Sequence, residues 1–317
     1  MFPRQPPQAG RLGRALWAGC TAVLACAGLA GCVRAPGAPV AWRALEPGLE
    51  FAQCRLPGGR QGSADSVVLL RMDPREFELR LLSAREINGR TALTAAEWIR
   101  LTGALAVTNA SMYMTDGHTS VFLMRSAGHV NNPTLGRAKA VFLTQPLDSA
   151  FPSARIAETD DPGFPMLLPR YRTAVQDIRI VASKPRPHVV WKGSGRRWSE
   201  AAVGQDGRGR MLFAFSSGAV DPGDFGAGLL ELGLDLRVLM HTEGGDKAVL
   251  QVNAPALRAA WAGQAEGPLD PDAGSDEAPG IPNVLAVVRR TAGPAASPGA
   301  ARPAGGGAAP QRRVTTR

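Results

Sequence analysis

The sequence predicts an α+β fold, a single domain with mixed β-sheets and few helices, and three observations carry that prediction. Ten short runs have the apolar–polar alternation or β-branched density of strands: residues 66–71, 77–82, 104–108, 119–124, 140–144, 178–181, 211–216, 236–241, 248–252 and 283–288. Only two segments carry helix signals. The stretch between them and around them, residues 40–291, is about 250 residues long and can enclose one sizeable core.

In chain order, the first element is an export signal. Arg4, Arg11 and Arg14 form a basic start without an acid, followed by an apolar run over residues 15–29. That run is too short for a stable membrane span but suits a secretory signal over residues 1–31. It ends in Leu29-Ala30-Gly31-Cys32, small residues before a cysteine, which is the pattern of a lipobox. Cys32 is therefore the expected lipidation site and residues 32–39 a short tether. Val33 rather than an acid after the cysteine points to the outer membrane facing the periplasm over the inner membrane.

The first helix is expected over residues 95–102, opened by Thr94-x-x-Glu97, whose two side chains can satisfy two free backbone N–H groups. The second is expected over residues 222–232, with Asp221 as its cap, Pro222 in the first turn and Gly233 as its stop. Residues 263–282 are acidic and rich in Gly and Pro, and read as a surface loop before a last strand. Of the 26 residues in 292–317, 17 are Ala, Gly or Pro, too few apolar side chains to order a basic tail.

Charge and cysteine content narrow the function. The formal net charge is +9, but the signal carries three of the 36 basic residues and none of the 27 acids, leaving about +6. Four more arginines (Arg302, Arg312, Arg313, Arg317) sit in the tail. No basic cluster interleaved with aromatics remains within the body, which argues against nucleic acid as a partner. Cys20 and Cys26 leave with the signal and Cys32 is acylated, so only Cys54 remains and no disulfide can form within the mature chain.

Two segments look unlike scaffold. Asn109-Ala110-Ser111-Met112-Tyr113-Met114-Thr115-Asp116-Gly117 follows one apolar strand, and His241-Thr242-Glu243-Gly244-Gly245-Asp246-Lys247 ends another. Glycines beside a carboxylate let backbone N–H groups approach an anion. Asp-Gly and Gly-Gly are also common hairpin dipeptides, so spacing alone leaves a plain turn open at both places. Asp116 also reads as a turn residue, Arg197 as a surface cation and His241 as a satisfied strand-end histidine. No cofactor or metal is required, although Asp116, His118, His241 and Glu243 could share a divalent cation if the loops met.

Taken with Val130-Asn131-Asn132-Pro133, the run from Arg197-Trp198-Ser199-Glu200 to Asp206, and Asp224-Phe225, these segments resemble the phosphodiester glycosidase family, in order over residues 65–290. The resemblance implies that Asn109 and Glu243 line a site. Two departures stand out: a Glu where many members have Asp before the Gly pair, and Asp246-Lys247 where a Ser often follows it. The implied activity is hydrolysis of a sugar–phosphate diester or related envelope glycan. Glu243 is then the principal carboxylate and Asp116 the second. Asn109 and His241 would contact substrate, Gly244 and Gly245 would cradle an anion, and Arg197 would contact phosphate. The alternative is a lipoprotein that binds glycan or phosphate on the same fold without catalysis. The expected partners are the bilayer, through acylated Cys32, and a sugar-phosphate substrate; no oligomeric state is assigned.

Overall fold

The computed structural model describes residues 39–57, 66–191, 195–263 and 278–290. The signal, Cys32, the tether up to residue 38 and the tail lie outside these residues, as does most of the predicted 263–282 loop.

The chain opens with β1 (Arg43–Glu46), β2 (Leu49–Arg55), β3 (Ser66–Met72) and β4 (Phe77–Ser83), then α1 (Ala84–Asn88) and α2 (Ala95–Thr102). Next come β5 (Ala106–Asn109), β6 (Met124–Arg125), β7 (Val130–Asn132), β8 (Ala140–Pro146), β9 (Ala154–Glu158) and α3 (Phe164–Leu167). The middle holds β10 (Tyr171–Asp177), β11 (Arg179–Ala182), β12 (His188–Val189), β13 (Trp198–Asp206), β14 (Met211–Val220) and α4 (Pro222–Glu231). The chain ends with β15 (Leu236–Gly244), β16 (Val249–Ala254), β17 (Leu257–Ala262) and β18 (Asn283–Arg289).

These strands make three sheets. Eight strands run in the order β1-β2-β3-β14-β13-β15-β11-β12, five as β7-β6-β10-β8-β9, and five as β17-β16-β5-β18-β4. Every pairing among the described residues is antiparallel, so sheet is mixed with helix here rather than parallel with antiparallel strands. One apolar cluster joins the three sheets, with Leu70, Met72, Phe213 and Met240 from the first, Phe142 and Val175 from the second, and Leu250 and Leu285 from the third. Alternation explains it: each strand turns one set of side chains to this shared core. α4 covers the other face of the first sheet through Phe225 and Leu229, and α2 covers the third through Trp98 and Ile99.

Both expected helices form: α2 has its expected bounds and α4 ends at Glu231, one residue short of the expected 232, while α1 and α3 carried no expectation. Thr94 and Glu97 form the reciprocal cap of α2. Asp221 caps α4 by accepting from Gly223 N at 2.8 Å, and Gly233 follows the helix with φ of 68°. The predicted strand over 119–124 is corrected: only Met124–Arg125 belongs to a sheet. Side chains hold the residues before it instead, with Ser120 N donating to Asn131 Oδ1 and Asn132 Nδ2 donating to Ser120 O. Eight strands carried no expectation: β1, β2, β7, β9, β10, β12, β13 and β17. β10 and β13 matter most, because their polar residues are buried: Thr173, Gln176 and Asp177 in one, Ser199, Glu200 and Asp206 in the other. Cys54 is half-buried on β2 against the α4 side of the core.

Candidate active site

Strand ends from all three sheets meet in one buried cluster of charge. The first sheet supplies His241 and Glu243 from β15 and Glu200 from β13. The second supplies Asp177, the last residue of β10, and the third supplies Ser111, two residues past β5. His241 is 2% exposed, while Glu200 and Asp177 are fully buried. Buried charges persist only when paired and hydrogen-bonded, and each of these is. His241 Nδ1 meets Glu200 Oε1, and Trp198 Nε1 donates to Glu200 Oε2 at 2.8 Å. Asp177 accepts from Ser111 Oγ at 2.7 Å, Met112 N at 3.2 Å and Ile178 N at 2.6 Å.

A bulge aims the side chains. The β13–β15 register pairs Ala201 with Glu243 and Ala202 with His241, leaving Thr242 extra; its hydroxyl donates to Ala201 O. Such an insertion re-aims neighbouring side chains at a strand end. Trp191 closes one side, its ring nearly perpendicular to that of His241 at 78°, with centroids 5.3 Å apart.

This packing sets the protonation states. Burial alone would lower the His241 pKa; Glu200, helped by Asp177 and Glu243, outweighs it and holds the imidazolium to about 9. Burial raises Asp177 to about 6, against the pull of His241 and of the Ser111 hydroxyl. Burial likewise raises Glu243 to about 7, against its hydrogen bond from Gly244 N and the charge of His241, while Asp177 and Glu200 push it further up. Glu243 remains partly exposed, so it is the one of the three carboxylates that a ligand can reach.

The two segments singled out in the sequence do converge. Asn109 is 1% exposed, donates from Nδ2 to Lys247 O at 2.9 Å and accepts from Val249 N at 2.8 Å. Its amide therefore clamps the segment that follows Glu243. Tyr113 lies near the same point: burial, then the charges of Glu243 and Asp246, hold its phenol up to about 12. The loop between is a hairpin closed by Tyr113 and Ser120, with Asp116 at its exposed tip. There Asp116 accepts from His118 N, Thr119 N and Thr119 Oγ1, and these bonds, the hydroxyl's first, hold its carboxyl at about 2.

The remaining predicted residues have definite places. Gly244 is where Trp198 crosses β15; a Cβ there would lie 2.5 Å from the indole ring, and its N–H is engaged by Glu243. Gly245 has φ of 72°, a left-handed conformation that favours glycine, and begins a 3-10 turn over Gly245–Lys247. Arg197 donates from both Nε and Nη2 to Ala219 O. Asp116, His118, His241 and Glu243 are not gathered into a ligand set, and among the described residues no group of three or more His, Cys, Asp or Glu is placed to hold a metal ion. Among the same residues no helix is long and apolar enough to cross a membrane.

Sequence reasoning assigned no role to Glu200 or Asp177. The available signal was each acid's position at the polar end of an apolar strand: Glu200 enters Ala-Ala-Val-Gly, and Asp177 precedes Ile-Arg-Ile-Val.

No protein-family model matches this sequence, and no curated protein matches it either. Solved structures do. The catalytic domain of zebrafish N-acetylglucosamine-1-phosphodiester α-N-acetylglucosaminidase, auto-inhibited by its pro-peptide, superimposes with a TM-score of 0.56 at 12% identity, over 80% of this chain and 87% of that one. A Synechocystis protein does so with a TM-score of 0.53 at 15% identity, over 81% of this chain. This chain spans 65% of the Synechocystis protein's length. At such identities the likeness is one of fold: the chain has a fold similar to that of a phosphodiester glycosidase catalytic domain.

Proposed function

We propose that the protein is an envelope lipoprotein, anchored through acylated Cys32, that hydrolyses a sugar–phosphate diester or related envelope glycan at Glu243. One observation carries this reading above the others. A single reachable carboxylate, raised to about 7, sits against a buried imidazolium and two buried carboxylates on a fold similar to a phosphodiester glycosidase domain.

Chemistry follows from that poise. Phosphate leaves as a stable anion, so the anomeric carbon–oxygen bond breaks with little need for an acid. The demand is for a base on the incoming water. Glu243, half-ionised near neutrality, accepts a proton as the water oxygen bonds to the anomeric carbon and the phosphate departs with the bonding electrons. Glu200, Asp177 and His241 are too buried to touch substrate and act as positioning residues. Asn109 fixes the Glu243 loop, and Asp116 shapes the neighbouring turn rather than sharing the chemistry.

The purified mature chain, given a panel of sugar 1-phosphate diesters, should release free sugar, with kcat rising as pH passes 7. Glu243→Gln should lower kcat about 10²–10⁴-fold, the usual worth of a general base. Turnover unaffected by Glu243→Gln would refute the assignment. Tight binding of the diester with no turnover would instead make the protein a glycan- or phosphate-binding lipoprotein on this fold.

A further inference from the structure

We propose that the cavity behind Trp191 is a subsite for the phosphorylated sugar of the substrate, its anion held by Arg137 and Lys139 and its ring by Trp191 and Phe122. The inference rests on Glu243 as the reacting carboxylate and adds the substrate's other half. The cavity encloses about 530 Å³ and is lined by Phe122, Arg137, Lys139, Ile178, Arg179 and Trp191, with Ala138 and Val190. Small-molecule sites fall between about 300 and 1,000 Å³, mostly apolar with a few convergent polar groups, and this one has that make-up.

Three walls tie it to the charged cluster. Trp191 lines the cavity and also makes a T-shaped ring contact with His241. Ile178 directly follows Asp177, and its carbonyl accepts from His241 N at 2.9 Å. Phe122 N lies 3.4 Å from Ser120 Oγ, which donates on to Ser111 Oγ, the donor to Asp177.

The cationic wall is built rather than incidental. Gln176 is fully buried and grips the backbone on both sides of Arg137: its Oε1 accepts from Gly136 N at 2.8 Å, and its Nε2 donates to Gly136 O at 3.0 Å and Ala138 O at 2.7 Å. Gly136 is required there, since a Cβ would lie 2.6 Å from the Phe122 ring. Arg179 already pairs with Glu158 and Asp160. Arg137 and Lys139 have no salt-bridge partner among the described residues; Lys139 acts on Asp160 only at a distance. Two cations without a salt-bridge partner beside two aromatic rings select an anion carried on a ring. A sugar phosphate meets both demands, whereas a free phosphate meets only the first.

Calorimetry on the purified mature chain tests this, with glucose 1-phosphate, glucose and inorganic phosphate as probes. The wild-type chain should bind glucose 1-phosphate more tightly than either of the others. Arg137→Ala with Lys139→Ala should weaken that binding at least about tenfold, the worth of a charge-assisted contact. Both side chains are exposed, so the double variant should melt as the wild type does. Glu243→Gln should retain the affinity, which separates this subsite from the catalytic assignment. Equal binding by the double variant, equal affinity for phosphate and glucose 1-phosphate, or no binding by the wild type would each overturn the proposal.

Discussion

Asp116, in the turn beyond β5, and Glu243, next to last in β15, each stand beside a glycine and are close in sequence character, yet the fold treats them oppositely. Asp116 lies at an exposed hairpin tip, ringed by three donors that hold it at about 2. Glu243 lies against buried acids with a single N–H donor, and burial lifts it to about 7. The lesson is that a carboxylate's chemistry follows from what surrounds it, donors in one case and desolvation in the other, and not from its place beside a glycine. Linkage carries opposite signs too. Asp116 contributes stability above its unfolded value of 3.8 that is lost as pH falls through about 2. Glu243 keeps a proton in the folded chain between 4.5 and 7 that the unfolded chain releases, so its contribution declines as pH rises through that window.

Substitutions can break this contrast at different depths. The largest effect is expected from Glu200→Gln, which strands His241 among buried groups; losing one partner of a buried pair costs about 3–5 kcal/mol, readable as a fall in chemical-denaturation stability. The same variant should lower the His241 pKa from about 9, because burial is then opposed only by Asp177 and Glu243. His241 contributes stability fully present below 6.5 and lost through 9, and that loss should vanish in the variant. Gly244→Ala forces a methyl against the Trp198 ring and should cost about 1–3 kcal/mol, together with a loss of turnover as the indole lets go of Glu200. Asp116→Asn should be the mildest. It should leave kcat unchanged and remove only the stability lost near pH 2; a kcat loss like that of Glu243→Gln would restore Asp116 as a catalytic partner.

Local signals were readable where one short segment decides the outcome. The Thr94–Glu97 box and the Asp221–Pro222 start need only their own neighbours, and both helices form where expected. Strands whose inward faces are apolar, such as β3, β4 and β18, were equally plain. What escaped was long-range. β10 and β13 point Gln176, Asp177 and Glu200 inward, so their polar residues disguise them as loops until partners such as Ser111 and His241, 66 and 41 positions away, are known. The same limit applies to Asn109: its type and position were legible, but its grip on Lys247 and Val249 depends on β16 pairing with β5 from 140 positions away.

The most direct measurement is a side-chain carboxyl NMR titration of the folded chain with Glu243 and Asp116 each assigned by substitution. Glu243 should titrate with a midpoint near 7 and Asp116 near 2. A Glu243 midpoint at its ordinary 4.5 would mean that the cluster does not tune it, and the assignment of Glu243 as the base would fall.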